Sequence, residues 1–444
     1  MKRFIETLRN IYKIEDLRKR IFYTLGLLLI YRLGSFVVLP GIDPTQISAL
    51  KDQTSSGVLG LLDMFSGGAF SNASIFALGI MPYISASIVV QLLGIAVPYF
   101  QRLQREGESG RNKINQITRY LTVFILLVQA PSYLTNLTFQ LPGEAFISSG
   151  IWFTVSSVVI LTAGTMFIMW LGERITDRGI GNGISLIIMI GIIARLPFAF
   201  IAEFNVRSNG AGGLMMLIVE MVMLLLIIIA TIALVQATRR IPVQYAKRIV
   251  GNKQYGGVRQ YIPLKVNAAG VMPIIFAQAL MFVPMMFTNF SSSDGANAFA
   301  AAFADYTGFW YNLTFGLLIV VFTYFYTAIT VNPIQMADDM KRNGGFIPGV
   351  KPGKKTVEFL DSVMSRITLP GSIFLAMVAI LPAFAIIAGV DNQFAQFYGG
   401  TSLLILVGVV LDTLQQIESH LLMRHYDGLM KSGRIKGRGV GAAI

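Results

Sequence analysis

The sequence predicts an all-α membrane protein with ten transmembrane helices, arranged as two pseudo-symmetric inverted halves of five and containing a short re-entrant segment. Of its 444 residues, 54% are hydrophobic and only 13% are charged, whereas a soluble domain normally has about 25% charged residues. The apolar residues also cluster into stretches long enough to cross a membrane. No soluble domain of ordinary size remains between these stretches.

A hydrocarbon core of about 30 Å needs roughly 20 apolar residues per helix. Ten such stretches are found, at residues 20–38, 75–95, 117–137, 151–171, 184–201, 214–236, 269–290, 309–330, 369–389 and 401–421. An odd number of spans in each half makes the second half enter from the opposite side, so an inverted repeat is geometrically possible. The predicted parts are an N-terminal half over 20–201, an external hinge loop over 202–213, a C-terminal half over 214–421 and a cytoplasmic tail over 422–444.

The distribution of basic residues predicts the orientation, because Lys and Arg resist translocation. Of the 36 Lys and Arg residues, all but four fall in the N-terminus, the C-terminal tail or alternate loops. The exceptions are Lys51, Arg195 and Arg207 in the opposite loops and Arg32 within the first span. Both termini are therefore predicted to be cytoplasmic. The cytoplasmic loops 237–266 and 331–368 are long and basic, which is typical of docking surfaces for an acidic partner.

Two shorter segments flank the first span. Residues 1–19 place apolar side chains at helical spacing among basic ones, which predicts an amphipathic helix on the cytoplasmic surface. The stretch "GVLGLLDMFSGGAF" (57–70) is apolar but too short to cross, and its glycines weaken a helix. Since irregular backbone at membrane depth needs protein or water around it, we interpret it as re-entrant, with an external interfacial loop as the alternative.

Signatures of catalysis, metal binding and cofactor binding are missing from the sequence. The chain has no cysteine, and its two histidines, His420 and His425, both lie at the cytoplasmic end of the last span. The "GIGNG" of 179–183 follows no strand, so it does not qualify as a dinucleotide loop. We therefore expect no enzymatic activity, no metal and no cofactor.

The second span, within "SIFALGIMPYISASIVVQLL" (74–93), mixes bulky apolar and polar side chains on one face. Ile80, Ile84, Ser87 and Gln91 fall together when the helix advances about 100° per residue. A lipid-facing surface gains nothing from Gln91, whereas the wall of an aqueous path can solvate it. Ordinary helix packing explains the serines equally well, so the spacing leaves both alternatives open.

Several motifs, taken together, resemble the SecY family, the central subunits of the bacterial Sec protein-conducting channel, or translocon. They are "SIFALGIMPYISASIVVQLL", "EGESGRNKINQ" (106–116), "ERITDRGIGNGIS" (173–185), "PLKVNAAGVMP" (263–273), "NPIQMADDMKRNGGFIPGVKPGKKT" (332–356) and "GGTSLLILVGVVLD" (399–412). They occur in this order over almost the whole chain. Similarity among hydrophobic segments alone does not reproduce the polar loop motifs.

The resemblance implies a channel that opens across the membrane for secreted proteins and sideways into lipid for membrane segments. Its implied pore ring is Ile80, Ile84, Ile184, Ile188, Ile275 and Ile405. Its implied plug is residues 57–73, including Gly57, Leu61, Leu62, Met64, Phe65, Gly67 and Gly68. Its implied lateral gate lies where spans two and three meet spans seven and eight, with Ser85, Ser87, Gln91, Asn267 and Gln278 as polar contacts.

The resemblance also implies partners: small membrane subunits SecE and SecG, the motor ATPase SecA, a translating ribosome, substrate polypeptides with signal sequences, and membrane lipid. The implied docking residues are Lys247, Arg248, Lys253, Arg259, Lys351, Lys354 and Lys355. Two positions depart from the family pattern, because Asn252 and Lys351 stand where arginines are common. Lys lacks the bidentate fork of Arg, so the motor contacts are assigned only as a group.

The leading hypothesis is therefore a polypeptide channel subunit in the bacterial plasma (inner) membrane, with several spans and both termini cytoplasmic. It translocates unfolded secretory polypeptides and releases transmembrane segments through a lateral gate. The alternative is a secondary transporter of a small solute, favoured by the ten spans and broken helices.

Overall fold

The computed structural model describes residues 14–47, 63–141, 145–147, 150–208, 213–245, 248–250, 253–255, 259–288 and 307–431. Among these residues the chain forms two compact units. The first comprises the chain up to Arg195 together with the chain from Val409 onward, and the second comprises Leu196–Gly408. The predicted docking residue Lys247, the plug residues Gly57, Leu61 and Leu62, and most of the N-terminal amphipathic helix lie outside the described residues.

The described chain is mostly helical. Its helices are α1 Glu15–Gly34, α2 Met81–Ala96, α3 Pro98–Arg105, α4 Glu108–Gln140, α5 Ile151–Arg178, α6 Gly183–Ser208, α7 Gly213–Gln236, α8 Met272–Thr288, α9 Phe309–Thr330, α10 Pro333–Arg342, α11 Lys354–Ile387, α12 Asn392–Ala395 and α13 Gly400–Lys431. A short 3-10 turn covers Pro44–Ile47. Each of the ten predicted spans overlaps a helix.

Not every one of these helices meets a strict criterion for a membrane span. Seven helices in the described part are long and apolar enough to cross a membrane, and the bent pair α2 and α3 counts as an eighth if taken as one span. The pair bends by 101°, because Val97 is extended and Pro98 begins α3. Among the others, α1 carries several charges and α8 has only 17 residues.

Several helix boundaries differ from the predicted spans, and three of them have a clear local cause or consequence. The second span begins at Met81 rather than 75, because residues 75–80 form turns and Gly79 has a φ of +55°. Residues 202–208, expected in an external loop, continue α6, where the i,i+4 ion pair of Glu203 and Arg207 supports the last turns. The ninth predicted span belongs to a longer helix, α11, which begins at Lys354.

In the first unit, one core joins α4 and α5 to the segment that precedes α2. The apolar face of α4 repeats at helical spacing and contributes Ala130, Tyr133, Leu134 and Leu137. Against it pack Phe70, Ala73 and Ala77, together with Leu161 of α5. Helix α1 contacts α5, and α2 contacts α4.

In the second unit, the two basic loops form a single small body that contains β-strands. Strands β1 Thr238–Tyr245 and β4 Arg259–Lys265 are antiparallel, and β5 Gly345–Phe346 pairs with the other edge of β1. A separate hairpin joins β2 Arg248–Val250 and β3 Lys253–Tyr255. The mostly helical class is confirmed, but these strands were not part of the predicted all-α description.

We call the body formed by loops 237–266 and 331–368 the sheet body. Its hydrophobic core contains residues from both loops. Ile241 and Val243 alternate with exposed residues along β1, as expected for a strand with one buried face. They pack with Leu264 of β4, Ala337 and Met340 of α10, and Leu360 and Met364 of α11. Loops 237–266 and 331–368, predicted as separate surfaces, therefore share one hydrophobic core.

Candidate functional site

The segment from Asp63 to Ile80, here called the buried segment, is the described part of the predicted re-entrant element and its link to α2. Its apolar side chains are inside the protein, among them Met64, Phe65, Ala69, Phe70 and Ala73. It is a series of turns after a single helical turn. The described residues 63–73 are therefore surrounded by protein, and their re-entrant position in the membrane stays a prediction.

Side-chain hydrogen bonds within the buried segment replace the regular ladder that a helix would supply. The Asp63 carboxylate accepts a bond of 2.7 Å from the Ser71 backbone N–H. Ser66 Oγ accepts from the Phe70 N–H at 3.0 Å and donates to the Asp63 carbonyl at 3.0 Å. Gly67 and Gly68 have φ values of +66° and +91°, which side chains rarely tolerate. The segment is thus a defined but irregular structure.

Polar side chains from three surrounding helices hold the buried segment. On α1, Tyr31 Oη donates to the Ser66 carbonyl at 3.1 Å, and Arg32 donates to the Gly67 carbonyl. On α4, Tyr133 Oη donates to the Phe70 carbonyl at 3.0 Å. These bonds satisfy carbonyls that a turn leaves unpaired, which matters because an unpaired buried carbonyl is unfavourable.

The third helix, α6, supplies the charge that balances Asp63. Arg195 forms an ion pair with Asp63 Oδ2 and donates to Ser71 Oγ at 3.2 Å. The Asp63 side chain is only 2% exposed, while that of Arg195 is 26% exposed. Since a buried carboxylate needs a partner, Arg195 is the group that permits Asp63 to stay charged.

Glycines allow the backbone of the buried segment to approach its neighbours closely. A Cβ at Gly67 would lie 2.7 Å from the Cα of Gly191 on α6. A Cβ at Gly164 on α5 would lie 2.2 Å from the Ile75 carbonyl oxygen. No side chain fits in either contact, so the backbone of the buried segment packs directly against the backbones of α5 and α6. We call the surrounding surface of α1, α4, α5 and α6 the seat.

The face of α6 that meets the buried segment also carries two of the predicted pore residues. Ile184, Ile188, Gly191 and Arg195 are spaced at i, i+4, i+7 and i+11, which places them on one stripe of the helix. Gly191 and Arg195 contact the buried segment. Ile188 is buried and Ile184 is half-buried.

The remaining predicted pore residues are distributed over both units. In the first unit, Ile80 is buried at the start of α2, and Ile84 lies half-buried one turn later, bonded to the Ile80 carbonyl through its backbone N–H. In the second unit, Ile275 is half-buried on α8 and Ile405 is buried on α13. Whether the six residues form a ring stays a prediction.

The predicted gate residues are polar groups whose burial ranges from exposed to buried. Ser87 accepts a bond of 3.4 Å from exposed Gln91, one turn along α2, and Ser85 is half-buried nearby. In the second unit, Asn267 is 9% exposed, and its buried Oδ1 has no hydrogen-bond partner among the described residues. Gln278 is half-buried on α8.

The predicted docking residues fall on the sheet body and the hairpin beside it in sequence. Lys354 and Lys355 are exposed at the start of α11, and Lys351 is exposed just before it. Arg248, Lys253 and Arg259 belong to β2, β3 and β4. Lys355 bonds Glu358 Oε2 at 2.8 Å. This bond lowers the pKa of Glu358 and raises the pKa of Lys355.

Sequence reasoning missed the residues that hold the buried segment, chiefly Tyr31, Asp63, Gly191 and Arg195. Arg195 falls inside the predicted span 184–201, although the charge pattern groups it with the opposite loops, and the structure places it within α6. An ionisable residue in a span is a functional candidate by default. Applied to Arg32 and Arg195, this rule would have predicted two of the residues that hold the buried segment.

This chain is similar to known proteins both in sequence and in fold. A protein-family model described as SecY matches residues 74–414. The protein translocase subunit SecY of Streptomyces scabiei is 44% identical over 433 residues, covering 95% of this chain and 98% of the relative. A solved structure described as that of a protein conducting channel superposes with a TM-score of 0.58 at 17% identity, covering 90% of this chain and 91% of the other.

A second solved structure, Sec61 in the canine ribosome-channel complex from the endoplasmic reticulum, superposes with a TM-score of 0.54 at 16% identity. This match covers 90% of this chain and 91% of that one. At such identities the two structural matches show a shared fold, while the family match and the bacterial relative carry the relationship in sequence.

Proposed function

Since the chain belongs to the SecY family, we propose that its buried segment is the plug of the channel and that its six isoleucines form the pore ring. The protein is a protein translocase subunit, a component of a protein-conducting channel with several membrane spans. The secondary-transporter alternative is set aside, because the relatives are translocase subunits and the structural neighbours are protein-conducting channels.

The observation that supports the plug most directly is the shared stripe on α6. Ile184 and Ile188 occupy the same face as Gly191 and Arg195, which contact the buried segment. A segment seated on that face lies in line with the isoleucines. Branched apolar side chains can close a narrow passage by excluding water, and the plug adds a second barrier beside them.

The plug must also leave its seat, and its contacts fit that task. Apart from apolar packing, it is held by carbonyl bonds from Tyr31, Arg32 and Tyr133 and by the ion pair of Asp63 with Arg195. A hydrogen bond to a charged group contributes about 1.5–3 kcal/mol, and a neutral one about 0.5–1.5 kcal/mol. Water that enters an opening channel replaces these bonds, so the segment moves without leaving unpaired charges.

The proposed plug is tested by Asp63→Asn, which removes the charge while keeping an oxygen for the Ser71 N–H. We expect a higher resting ion conductance of the purified channel in planar bilayers, and a similar rise for Arg195→Gln. The double variant D63R/R195D restores opposite charges and should recover part of the seal. Asp43→Asn is the matched control, because the Asp43 carboxylate accepts its hydrogen bonds from the nearby Thr45 in the same unit.

Equal conductance in the wild type and in both single charge variants would show that the pair does not hold a plug. A rise that also occurs in D43N would point to a general loss of structure instead.

The proposed ring is tested by crosslinking to a translocating chain. Because the chain has no cysteine, single cysteines at Ile84 and Ile275 report without background. A secretory precursor stalled by a tightly folded domain should form crosslinks at both positions and none at Val222, an exposed position on α7. Absence of adducts at 84 and 275 with a verified stalled precursor contradicts the ring.

The lateral gate is proposed for Ser85, Ser87, Gln91, Asn267 and Gln278. Exit into lipid follows substrate hydropathy, since an apolar residue at the membrane centre contributes about −0.3 to −0.6 kcal/mol and a charge costs about 2.5–3.5 kcal/mol. We expect Asn267→Leu to shift the hydropathy at which a substrate segment becomes carbonate-resistant. An unchanged threshold would argue against a gate role for Asn267.

The sheet body is proposed as the docking surface for the motor ATPase SecA and for the ribosome, with SecE and SecG as membrane companions. Its exposed lysines suit acidic protein surfaces and RNA phosphate. Reversing Lys351, Lys354 and Lys355 to Glu should weaken salt-sensitive ribosome binding, while the K19E control on α1 should leave it intact. Equal binding by both variants contradicts this docking surface.

The proposed location is the bacterial plasma membrane with both termini cytoplasmic. This orientation follows from the bias of Lys and Arg to one set of loops. Cysteines placed at Lys351 and at Ile147 should differ in labelling by a membrane-impermeant thiol reagent in intact cells, with only the one at Ile147 modified. The reverse pattern contradicts the orientation.

A further inference from the structure

The turn between α5 and α6, residues 179–183, is held by side chains that come from other parts of the first unit. Its sequence "GIGNG" matched no ligand-binding motif. Gln416 Oε1 on α13 accepts a bond of 2.8 Å from the Gly181 N–H, and Thr24 Oγ1 on α1 accepts one of 3.1 Å from the Ile180 N–H. On α5, Thr176 Oγ1 accepts one of 2.9 Å from the Gly183 N–H.

These three acceptors receive backbone donors from the two residues Ile180 and Gly181 before α6 and from Gly183, its first residue. The first N–H groups of a helix and of its leading turn have no partner within the helix, and leaving such a group buried and unpaired is unfavourable. Ile180 is only 5% exposed, so water is a poor substitute there. Asn182 completes the set, because its Oδ1 accepts from the N–H groups of Ile184 and Ser185 at 3.1 and 3.3 Å.

The turn has almost no room to shift. A Cβ at Gly183 would lie 2.0 Å from the Gly172 carbonyl oxygen, and one at Gly179 would lie 2.4 Å from Thr24 Oγ1. A Cβ at Gly172 would lie 3.0 Å from Ile184 Cγ1, which places the Ile184 side chain directly against α5. The start of α6 and the position of Ile184 are therefore fixed by the same contacts.

We propose that Gln416 is a positioning residue, which together with Thr24 and Thr176 fixes the first turn of α6 and so the placement of Ile184 and Ile188. This inference rests on the proposed function, since it assigns these isoleucines to the seal. Gln416 acts through the turn, because it bonds Gly181 and not the isoleucines themselves. It links α13 to the start of α6 across 235 residues of sequence.

The bond from Gly181 requires only an oxygen acceptor, and this makes a sharp pair of variants. Gln416→Leu has a similar size and no acceptor, whereas Gln416→Glu keeps an oxygen at the same reach. Gln415→Leu is the matched control, because it makes the same change at the adjacent position on the same helix, which is exposed as Gln416 is. In cells, Q416L should raise export of a precursor with a defective signal sequence about 2- to 10-fold. This is the factor by which the loss of one hydrogen bond changes an equilibrium constant.

Q416E and Q415L should export that precursor as the wild type does. A second readout follows position rather than activity. With a single cysteine at Ile184, Q416L should change the rate of thiol modification, while a cysteine at Ile192, which is buried two turns further along α6, should keep its rate. A general loss of stability would change both rates together.

The results separate this inference from the function on which it rests. If Ile188→Asn leaves signal selectivity unchanged, the seal is not at α6, and the labelling rate at position 184 still decides whether Gln416 positions the turn. If I188N relaxes selectivity while Q416L and Q416E both behave as wild type in both readouts, the positioning role is overturned. Equal effects of Q415L and Q416L also overturn it.

Discussion

Replacing Arg207 by Met should lower the free energy of unfolding of the second unit more than removing an exposed arginine would. Arg207 Nε donates to Glu203 Oε1 at 2.7 Å, and Nη2 donates to Glu220 and, at 2.7 Å, to the Gly389 carbonyl. Glu203 in turn accepts from the Asp391 N–H at 2.7 Å. One guanidinium thus ties α6 to α7 and to the connection that follows α11.

The expected magnitude follows from the burial of the two carboxylates. Glu203 is 0% exposed and Glu220 is 3% exposed, so removal of Arg207 leaves both without their cation. Removing one partner of a buried pair costs about 3–5 kcal/mol, and we expect R207M to lower the free energy of unfolding by this amount. Arg207→Lys keeps the charge but loses the fork, so it should fall between the wild type and R207M.

The assay is reversible unfolding in mixed micelles, followed as the mole fraction of the denaturing detergent rises. Arg119→Met is the matched control, because Arg119 also forms a bidentate pair with a glutamate, Glu173, at 3.1 and 2.7 Å. The Arg119 side chain is 44% exposed and the Glu173 side chain 28%, and exposed ion pairs contribute about 0–1 kcal/mol to stability. If R207M and R119M lose the same stability, the reasoning from burial is wrong.

Two further predictions concern the seat of the plug and the sheet body. Gly191→Ala places a Cβ 3.1 Å from the Phe65 carbonyl oxygen, so we expect it to displace the buried segment and increase the resting conductance. Gly26→Ala is the control, because nothing lies within 4 Å of its Cβ, and it should leave the conductance unchanged. Equal conductance in the two variants contradicts close packing of the buried segment against α6. Leu360→Ala removes a side chain that is 1% exposed and should cost about 2–5 kcal/mol, measured as protease sensitivity of the sheet body, with Phe359→Ala as the exposed control. Equal digestion of L360A and F359A would show that Leu360 does not stabilise this core.

The sequence predicts the positions of the spans well because hydropathy is a local property. Each predicted span requires only that about 20 neighbouring residues be apolar. The boundaries fail where a specific contact extends or breaks a helix, as with the buried Glu203–Arg207 pair at the end of α6 or the left-handed Gly79 before α2.

The seat of the plug depends on pairs of residues far apart in the chain, and no local pattern joins them. Arg195 and Ser71 are separated by 124 residues, and Arg32 and Gly67 by 35. The strands of the sheet body were missed for a different reason. Pro242 and Pro263 lie within β1 and β4, and proline normally argues against a paired strand.

The sheet body has a mechanical consequence, because one of its core elements does not end with it. Leu360 and Met364 belong to that core and also to α11, a single helix of 34 residues. At 1.5 Å per residue this helix is about 50 Å long. Its first turns belong to the sheet body, and the rest of it contains most of the ninth predicted span. Pro370 and Pro382 interrupt its hydrogen bonds and provide bending points. A force applied to the sheet body would therefore act directly on a predicted transmembrane span, with the two prolines as the points where the helix can bend.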